Sequence, residues 1–247
     1  MIKKILVSQP KPTSEKSPYF DIEAKENVEF TFHPFIKIEG LSAREFRQQK
    51  VQILDHTAIV FNSRHAIDYF FTLCKEMRIA LPEDMKYFGI SETVALYIQK
   101  YVQYRKRKVF FGSTGKWPEH VADMAKLKAE NYLVTLSDVH NDDVAEMLDA
   151  KKLKHTECVM YRTVSNEYPK EQPFDFDMLV FFPPAGVESL LKNFPNFKQG
   201  STRLACFGPA TKKAMENAGL RCDLSAPTPE ARALTAANEK SLHEPRA

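Results

Sequence analysis

Short apolar runs alternate with helix-period stretches along this chain, and one run-plus-helix unit occurs twice, 120 residues apart. Asp55-x-x-x-Ile59-Val60-Phe61 is matched by Asp175-x-x-x-Leu179-Val180-Phe181, and Ala66-Ile67-Asp68 by Gly186-Val187-Glu188, at the same offset of 120. A second junction repeats at 118, Ile90-Ser91-Glu92-Thr93 against Gly208-Pro209-Ala210-Thr211. Two strand–loop–helix junctions in the same order point to two structurally similar halves. The alternation itself is the pattern of βαβ units on a mostly parallel sheet. Strands are expected over 5–8, 28–34, 58–61, 86–89, 109–111, 132–135, 158–161, 178–182, 204–208 and 221–224. Helices are expected over 65–77, 92–102, 118–130, 144–149, 186–193 and 211–218, with Gly219 as a left-handed helix stop.

A chain of 247 residues forms one large domain or two modest ones. The net charge of +3 is too small for a nucleic-acid partner, which needs a basic stripe. It still suits a small anion where cations and amides converge. Arg105-Lys106-Arg107-Lys108 reads as a solvated helix-end cluster, with attraction of an acidic substrate as the alternative. Cys74, Cys158, Cys206 and Cys222 lack C-x-x-C spacing and the histidines are scattered, so buried free thiols in a reducing compartment and no metal site are expected. No apolar run approaches the ~20 residues of a membrane span. Met1-Ile2-Lys3-Lys4-Ile5-Leu6-Val7 reads as a strand rather than a signal peptide, which predicts a cytoplasmic protein.

Dinucleotide, P-loop and nucleophile-elbow motifs are missing. Ser8-Gln9-Pro10 after the first strand lacks the acidic residues of a phosphorelay receiver, and Ser137-Asp138-x-His140 reads as a loop rather than a catalytic set. In a doubly wound sheet, ligands bind at the carboxyl ends of strands, where helices begin. Residues 62–65, 91–93, 183–185 and 209–211 fall there, and their hydroxyls and amides favour carboxylates or phosphates. Helix capping needs the same residue types, and proline in a first turn is common.

Five segments, together with a sixth just after the last, carry a resemblance over nearly the whole chain. They are I-L-V-S-Q-P-K-P at 5–12, I-V-F-N-S-R-H-A-I-D at 59–68, M-Y-R-T-V at 160–164, L-V-F-F-P-P-A-G-V at 179–187, F-G-P-A-T-K-K-A-M-E-N-A-G-L-R at 207–221 and A-P-T-P-E-A at 226–231. In this order and spacing the chain resembles the uroporphyrinogen-III synthase family, in the form associated with Bacteroidetes-type bacteria. The resemblance implies an α/β protein of two similar flavodoxin-like, doubly wound parallel-sheet domains, joined by a two-stranded linker with a cleft between them. Mapped onto this sequence, the first domain is discontinuous, 1–35 plus 165–247. The inserted second domain covers 41–160, and 36–40 and 161–164 form the linker strands.

The implied reaction cyclises hydroxymethylbilane, a linear tetrapyrrole with eight carboxylates, to uroporphyrinogen III in haem biosynthesis. Water is lost and the last pyrrole is inverted. No cofactor and no metal are needed, the partner is this small molecule rather than nucleic acid or membrane, and a monomer is expected. The family match assigns Tyr161, in the Y-x-T-V segment, as the catalytic proton donor, since a phenol keeps its proton at neutral pH. A strand tyrosine that only packs is the structural alternative. Ser63, Thr93, Ala185, Gly186, Pro209 and Thr211 match substrate-binding positions. Three departures stand out: Pro183 where the family has serine, Ala210 in place of a threonine, and a polar ending over 232–247. They keep open a second reading, a noncatalytic anion- or tetrapyrrole-binding relative.

Overall fold

The computed structural model describes residues 2–14, 16–140 and 143–226, so the polar ending over 232–247 lies outside the described residues. The chain divides into two compact units, Met1–Lys37 with Val164–Ala247, and Ile38–Thr163. In chain order the strands are β1 (Lys4–Val7), β2 (Glu29–Phe32), β3 (Ile36–Gly40), β4 (Ala58–Phe61), β5 (Lys86–Gly89), β6 (Val109–Phe111), β7 (Tyr132–Ser137), β8 (His155–Ser165), β9 (Met178–Phe181), β10 (Arg203–Phe207) and β11 (Leu224–Ala226). The helices are α1 (Pro18–Glu26), α2 (Ala43–Gln48), α3 (Arg64–Glu76), α4 (Glu92–Tyr97), α5 (Trp117–Met124), α6 (Asp143–Ala150), α7 (Pro184–Asn193) and α8 (Pro209–Asn217).

The first unit holds a parallel sheet ordered β11-β10-β9-β1-β2. Counted along its own strands this is the flavodoxin-like order 2-1-3-4-5. The second unit's sheet runs β3-β8-β7-β4-β5-β6, parallel from β8 to β6. With β4 in the place of β9, it repeats the neighbour relations of the first sheet and adds β3 at one edge.

Both sheets are covered on two faces, and the strand alternation sorts side chains between them. In the first unit Ile5, Val7, Met178 and Val180 pack with Tyr19 and Ile22 of α1. Leu6, Leu179, Phe181 and Leu204 pack instead with Val187 and Leu190 of α7 and Met215 of α8. In the second unit Ile59, Phe61, Tyr87 and Leu133 face Ile67 and Phe70 of α3, while Ala58, Val60, Phe88 and Val134 face Val121 of α5 and Leu148 of α6. Burial on both sides is why these strands read as unbroken apolar runs.

The repeat has a structural counterpart. Strands β4 and β9 stand 120 residues apart, and the helices after them begin at Arg64 and Pro184. At the second junction the residues preceding the helices are Ser91 and Gly208, which shifts the sequence alignment there by one position. Gly219 takes φ +69 directly after the C-cap of α8, the left-handed stop expected of it.

Elsewhere the boundaries move for identifiable reasons. The strand expected over 221–224 begins only at Leu224, because the Arg221 amide donates to Gln199 Oε1 and the Leu204 amide to Asp223 Oδ2. The helices expected over 92–102 and 118–130 each tighten into a 3-10 turn, Ile98–Lys100 and Ala125–Leu127. Helices α1 and α2 lie in segments that the periodicity did not mark. Helix α2 starts from a capping box in which Ser42 and Glu45 satisfy each other's backbone donors.

This packing is testable at two positions. At Gly89, which ends β5, an added Cβ would lie 2.5 Å from the Ala95 amide nitrogen in α4. Gly89→Ala is expected to cost about 1–3 kcal/mol of stability, seen as a lower urea midpoint. His120 of α5 is 0% exposed, both ring nitrogens lack a hydrogen-bond partner among the described residues, and burial pushes its pKa from 6.5 down to about 4. The unfolded chain therefore takes up this proton first, and stability is expected to fall as pH drops from 6.5 to about 4. Urea titrations across that range should show a shallower decline for His120→Leu; an unchanged slope would remove His120 as the cause.

Candidate functional site

In a doubly wound sheet the crevice for a ligand opens where neighbouring strands lead to helices on opposite faces. In the second unit that point lies between β4, followed by α3 on one face, and β7, followed by α6 on the other. In the first unit it lies between β9, followed by α7, and β1, followed by α1.

At the second unit's switch point Ser63 is the N-cap of α3, and its Oγ accepts from the Ala66 amide at 3.1 Å. The same oxygen lies 3.0 Å from Tyr161 Oη, although the two residues are 98 positions apart. This contact depends on a register shift. Leu136 pairs with Val159 but Ser137 pairs with Tyr161, so Met160 is an extra residue in β8. Cys158, Met160 and Tyr161 consequently all join the cluster that includes α3.

The segment Ser137–His140 fixes that shift. The Asp138 amide donates to Tyr161 O at 3.0 Å, and the Thr163 amide donates to Asp138 Oδ1 at 3.1 Å. Ser137 Oγ donates to Val139 O, and His140 Nδ1 lies 2.7 Å from Ser137 O. These side chains bond to backbone rather than to one another, as a loop reading of the segment requires. On the outer side of β8, Gln49 bonds both the N–H and the C=O of Val159. Tyr161 is 7% exposed, and its ring stacks on Tyr69 at 5.9 Å, with His65 at 6.3 Å. Tyr69 is itself held by a hydrogen bond to Ile38 O.

Thr93 lies in the first turn of α4. Its hydroxyl is exposed and 3.1 Å from Ser91 Oγ, which caps the helix by accepting from the Val94 amide. Ser63 and Tyr161 are thus brought together, and Thr93 forms a separate pair with Ser91.

In the first unit, Pro183 occupies the N-cap of α7 and gives it no side-chain acceptor. Pro183 and Pro184 carry no N–H, and the Gly186 amide donates to Pro183 O, so the Ala185 amide is the first donor that α7 offers. Ser8, at the end of β1, is 6% exposed, and its Oγ has no partner among the described residues. That oxygen lies 3.8 Å from where a Cβ on Gly186 would stand. At α8, Gly208 at φ +90 turns the chain into Pro209. Thr211 is 1% exposed, and its Oγ1 donates to Phe182 O and lies 3.1 Å from Phe207 O. Its hydroxyl hydrogen therefore joins α8 to the end of β9.

Sequence reasoning passed over Tyr69, placed Ser91 only within a strand-end loop, and gave Ser8 and Asp138 no part in the site. Ser91 was legible as a serine two residues before Thr93. Asp138 acts through backbone atoms of a strand distant in sequence and left no local signal.

Among the described residues no group of three or more His, Cys, Asp or Glu side chains is placed to hold a metal, and no helix is long and apolar enough to cross a membrane. No curated protein matches the chain. Among solved structures, the uroporphyrinogen-III synthetase of Helicobacter pylori 26695 is similar with a TM-score of 0.55 at 12% identity, over 98% of this chain and 99% of that one. A mutant uroporphyrinogen III synthase of Thermus thermophilus is similar with a TM-score of 0.50 at 12% identity, over 97% of this chain and 98% of that one. At such identity these likenesses concern the fold. The family model for uroporphyrinogen-III synthase HemD matches residues 22–236, and the chain belongs to that family.

Proposed function

We propose that this chain is a working uroporphyrinogen-III synthase, a cyclising lyase in which Tyr161 delivers the proton that the leaving group requires. The observation that carries this reading is the Ser63–Tyr161 pair at the carboxyl end of β4. Ser63 Oγ already accepts from the Ala66 amide, so its own hydrogen is free to go to Tyr161 Oη. The phenolic hydrogen is then available to a substrate oxygen.

Expelling the terminal hydroxyl of hydroxymethylbilane breaks a C–O bond. The phenol supplies the proton that turns the departing group into water, and the pyrrole nitrogen supplies the electron pair. The electrophilic methylene left behind is attacked by the substituted carbon of the last pyrrole. The old bridge bond at that carbon then breaks, the freed bridge carbon bonds to the ring's unsubstituted carbon, and the proton lost there restores the phenol. Because the bilane also closes unaided to the uninverted isomer, holding its two ends for this attack is the larger part of the task.

The substrate's carboxylates suit helix starts and hydroxyls. We assign Ser63 and Thr93 of the second unit to this role, with Ala185, Gly186, Pro209 and Thr211 of the first. Thr211 would contribute by fixing the first turn of α8, since its own hydroxyl is committed to protein carbonyls. The four free cysteines suit a reducing cytoplasm, and we take the enzyme to be a monomer acting on a small molecule without nucleic acid. The second reading, a tetrapyrrole-binding relative without turnover, draws on Pro183, which removes both a hydroxyl and an amide from the start of α7.

Enzymatically generated hydroxymethylbilane, with the product isomers resolved by chromatography, separates the two. The synthase gives type III above the spontaneous background; type I alone would favour the binder. Tyr161→Phe is expected to lower type III formation by ~10²-fold or more, with the melting temperature little changed. Unaltered activity would take the proton-donor role from Tyr161.

A further inference from the structure

Cys206 and Cys222 lie in the first unit, and the role assigned to Tyr161 in the second has no bearing on them. Their sulfurs are 3.4 Å apart. Cys206 lies on β10 at 0% exposure, and Cys222 precedes β11 and is half-buried. The approach is held by both neighbours of Cys222. Arg221 donates its amide to Gln199 Oε1 at 2.7 Å and accepts at its carbonyl from Gln199 Nε2 at 2.9 Å. Asp223 bonds Leu204 twice, amide to carbonyl at 2.9 Å and Oδ2 from the Leu204 amide at 2.8 Å. From Leu224 onward the chain is paired with β10. The sulfur of Cys222 is thus fixed beside that of Cys206 by bonds on either side, and closing the gap to the ~2.05 Å of a disulfide needs a displacement of only about 1.4 Å.

We propose that Cys206 and Cys222 are an oxidisable dithiol that hydrogen peroxide closes into an intrachain disulfide. Hydrogen bonding from Cys222, helped by Lys212, lowers the Cys206 thiol to about 7 while the Cys222 thiol is raised. Peroxide reaches the half-buried Cys222 rather than the fully buried Cys206. The reactive form is therefore the minor thiolate of Cys222, formed when its proton passes to Cys206 against that preference. That thiolate attacks one peroxide oxygen and breaks the O–O bond, giving a sulfenic acid and a hydroxide that takes up a proton as water. The Cys206 sulfur then attacks the Cys222 sulfur and breaks the S–O bond. The hydroxide released takes the Cys206 proton, so two thiols and one peroxide give one disulfide and two waters. The bond would enclose all of α8 in a covalent loop. Cys74 and Cys158 are buried in the other unit's core, where burial pushes Cys74 up to about 12 and Cys158 up as well, and they stay reduced.

The full chain, reduced and then exposed to hydrogen peroxide, should fall from four titratable thiols to two when unfolded, and dithiothreitol should restore four. A non-reducing tryptic digest should contain peptide 204–212 joined to peptide 222–232. Four persisting thiols, thiol loss without that linked peptide, or a covalent dimer would overturn the proposal. Cys222→Ser should show three thiols before and after exposure. Loss of two thiols in that variant would assign the oxidation to Cys74 and Cys158 and would equally overturn it.

Discussion

A β-strand sends successive side chains to opposite faces, so Met160 and Tyr161 should lie on different sides of the second unit's sheet. Both join the same core cluster, because β8 carries one more residue than β7 between the Val159 and Tyr161 pairings. That extra residue brings the Tyr161 hydroxyl to the oxygen that caps α3. Without the bulge a strict alternation would take Tyr161 to the other face, towards α5 and α6. Asp138 on one side and Gln49 on the other bond the backbone of β8 close to the shift. The local conformation is thus held from neighbouring elements, as bulges beside functional sites commonly are.

Ser63 serves fold and chemistry with one hydroxyl. As an N-cap it accepts from the Ala66 amide, an interaction worth about 1 kcal/mol. As a partner of Tyr161 it fixes the phenolic oxygen at the end of β4. The first unit lacks this double use. Its equivalent position, 120 residues on, is Pro183, so α7 begins without a side-chain acceptor. The two units share an architecture, but among the described residues only the second places a hydroxyl pair at its switch point.

Much of the fold was legible because the strands are buried on both faces and stand out as apolar runs. Strands β4, β5 and β6 take the bounds that the sequence suggests. Helix α1 begins with a proline and carries charges among its apolar residues, and α2 is a six-residue helix, so neither left a clear periodicity. At the site, Tyr161 and Ser63 could be named from family motifs, but not their contact. A one-residue bulge arises from pairing between distant strands, and no local pattern announces it. Thr211 looked like a ligand hydroxyl by position; its burial against Phe182 and Phe207 carbonyls emerges only from packing.

The central claim is that Ser63 and Tyr161 act as one unit in bilane cyclisation. A double-mutant cycle on the rate of type III formation, using Ser63→Ala, Tyr161→Phe and the combined variant, tests it most directly. A coupled pair predicts that the double variant loses less than the two single losses combined, with a coupling of at least about 0.5 kcal/mol. Losses that simply add would show that the two hydroxyls work independently and would contradict the account.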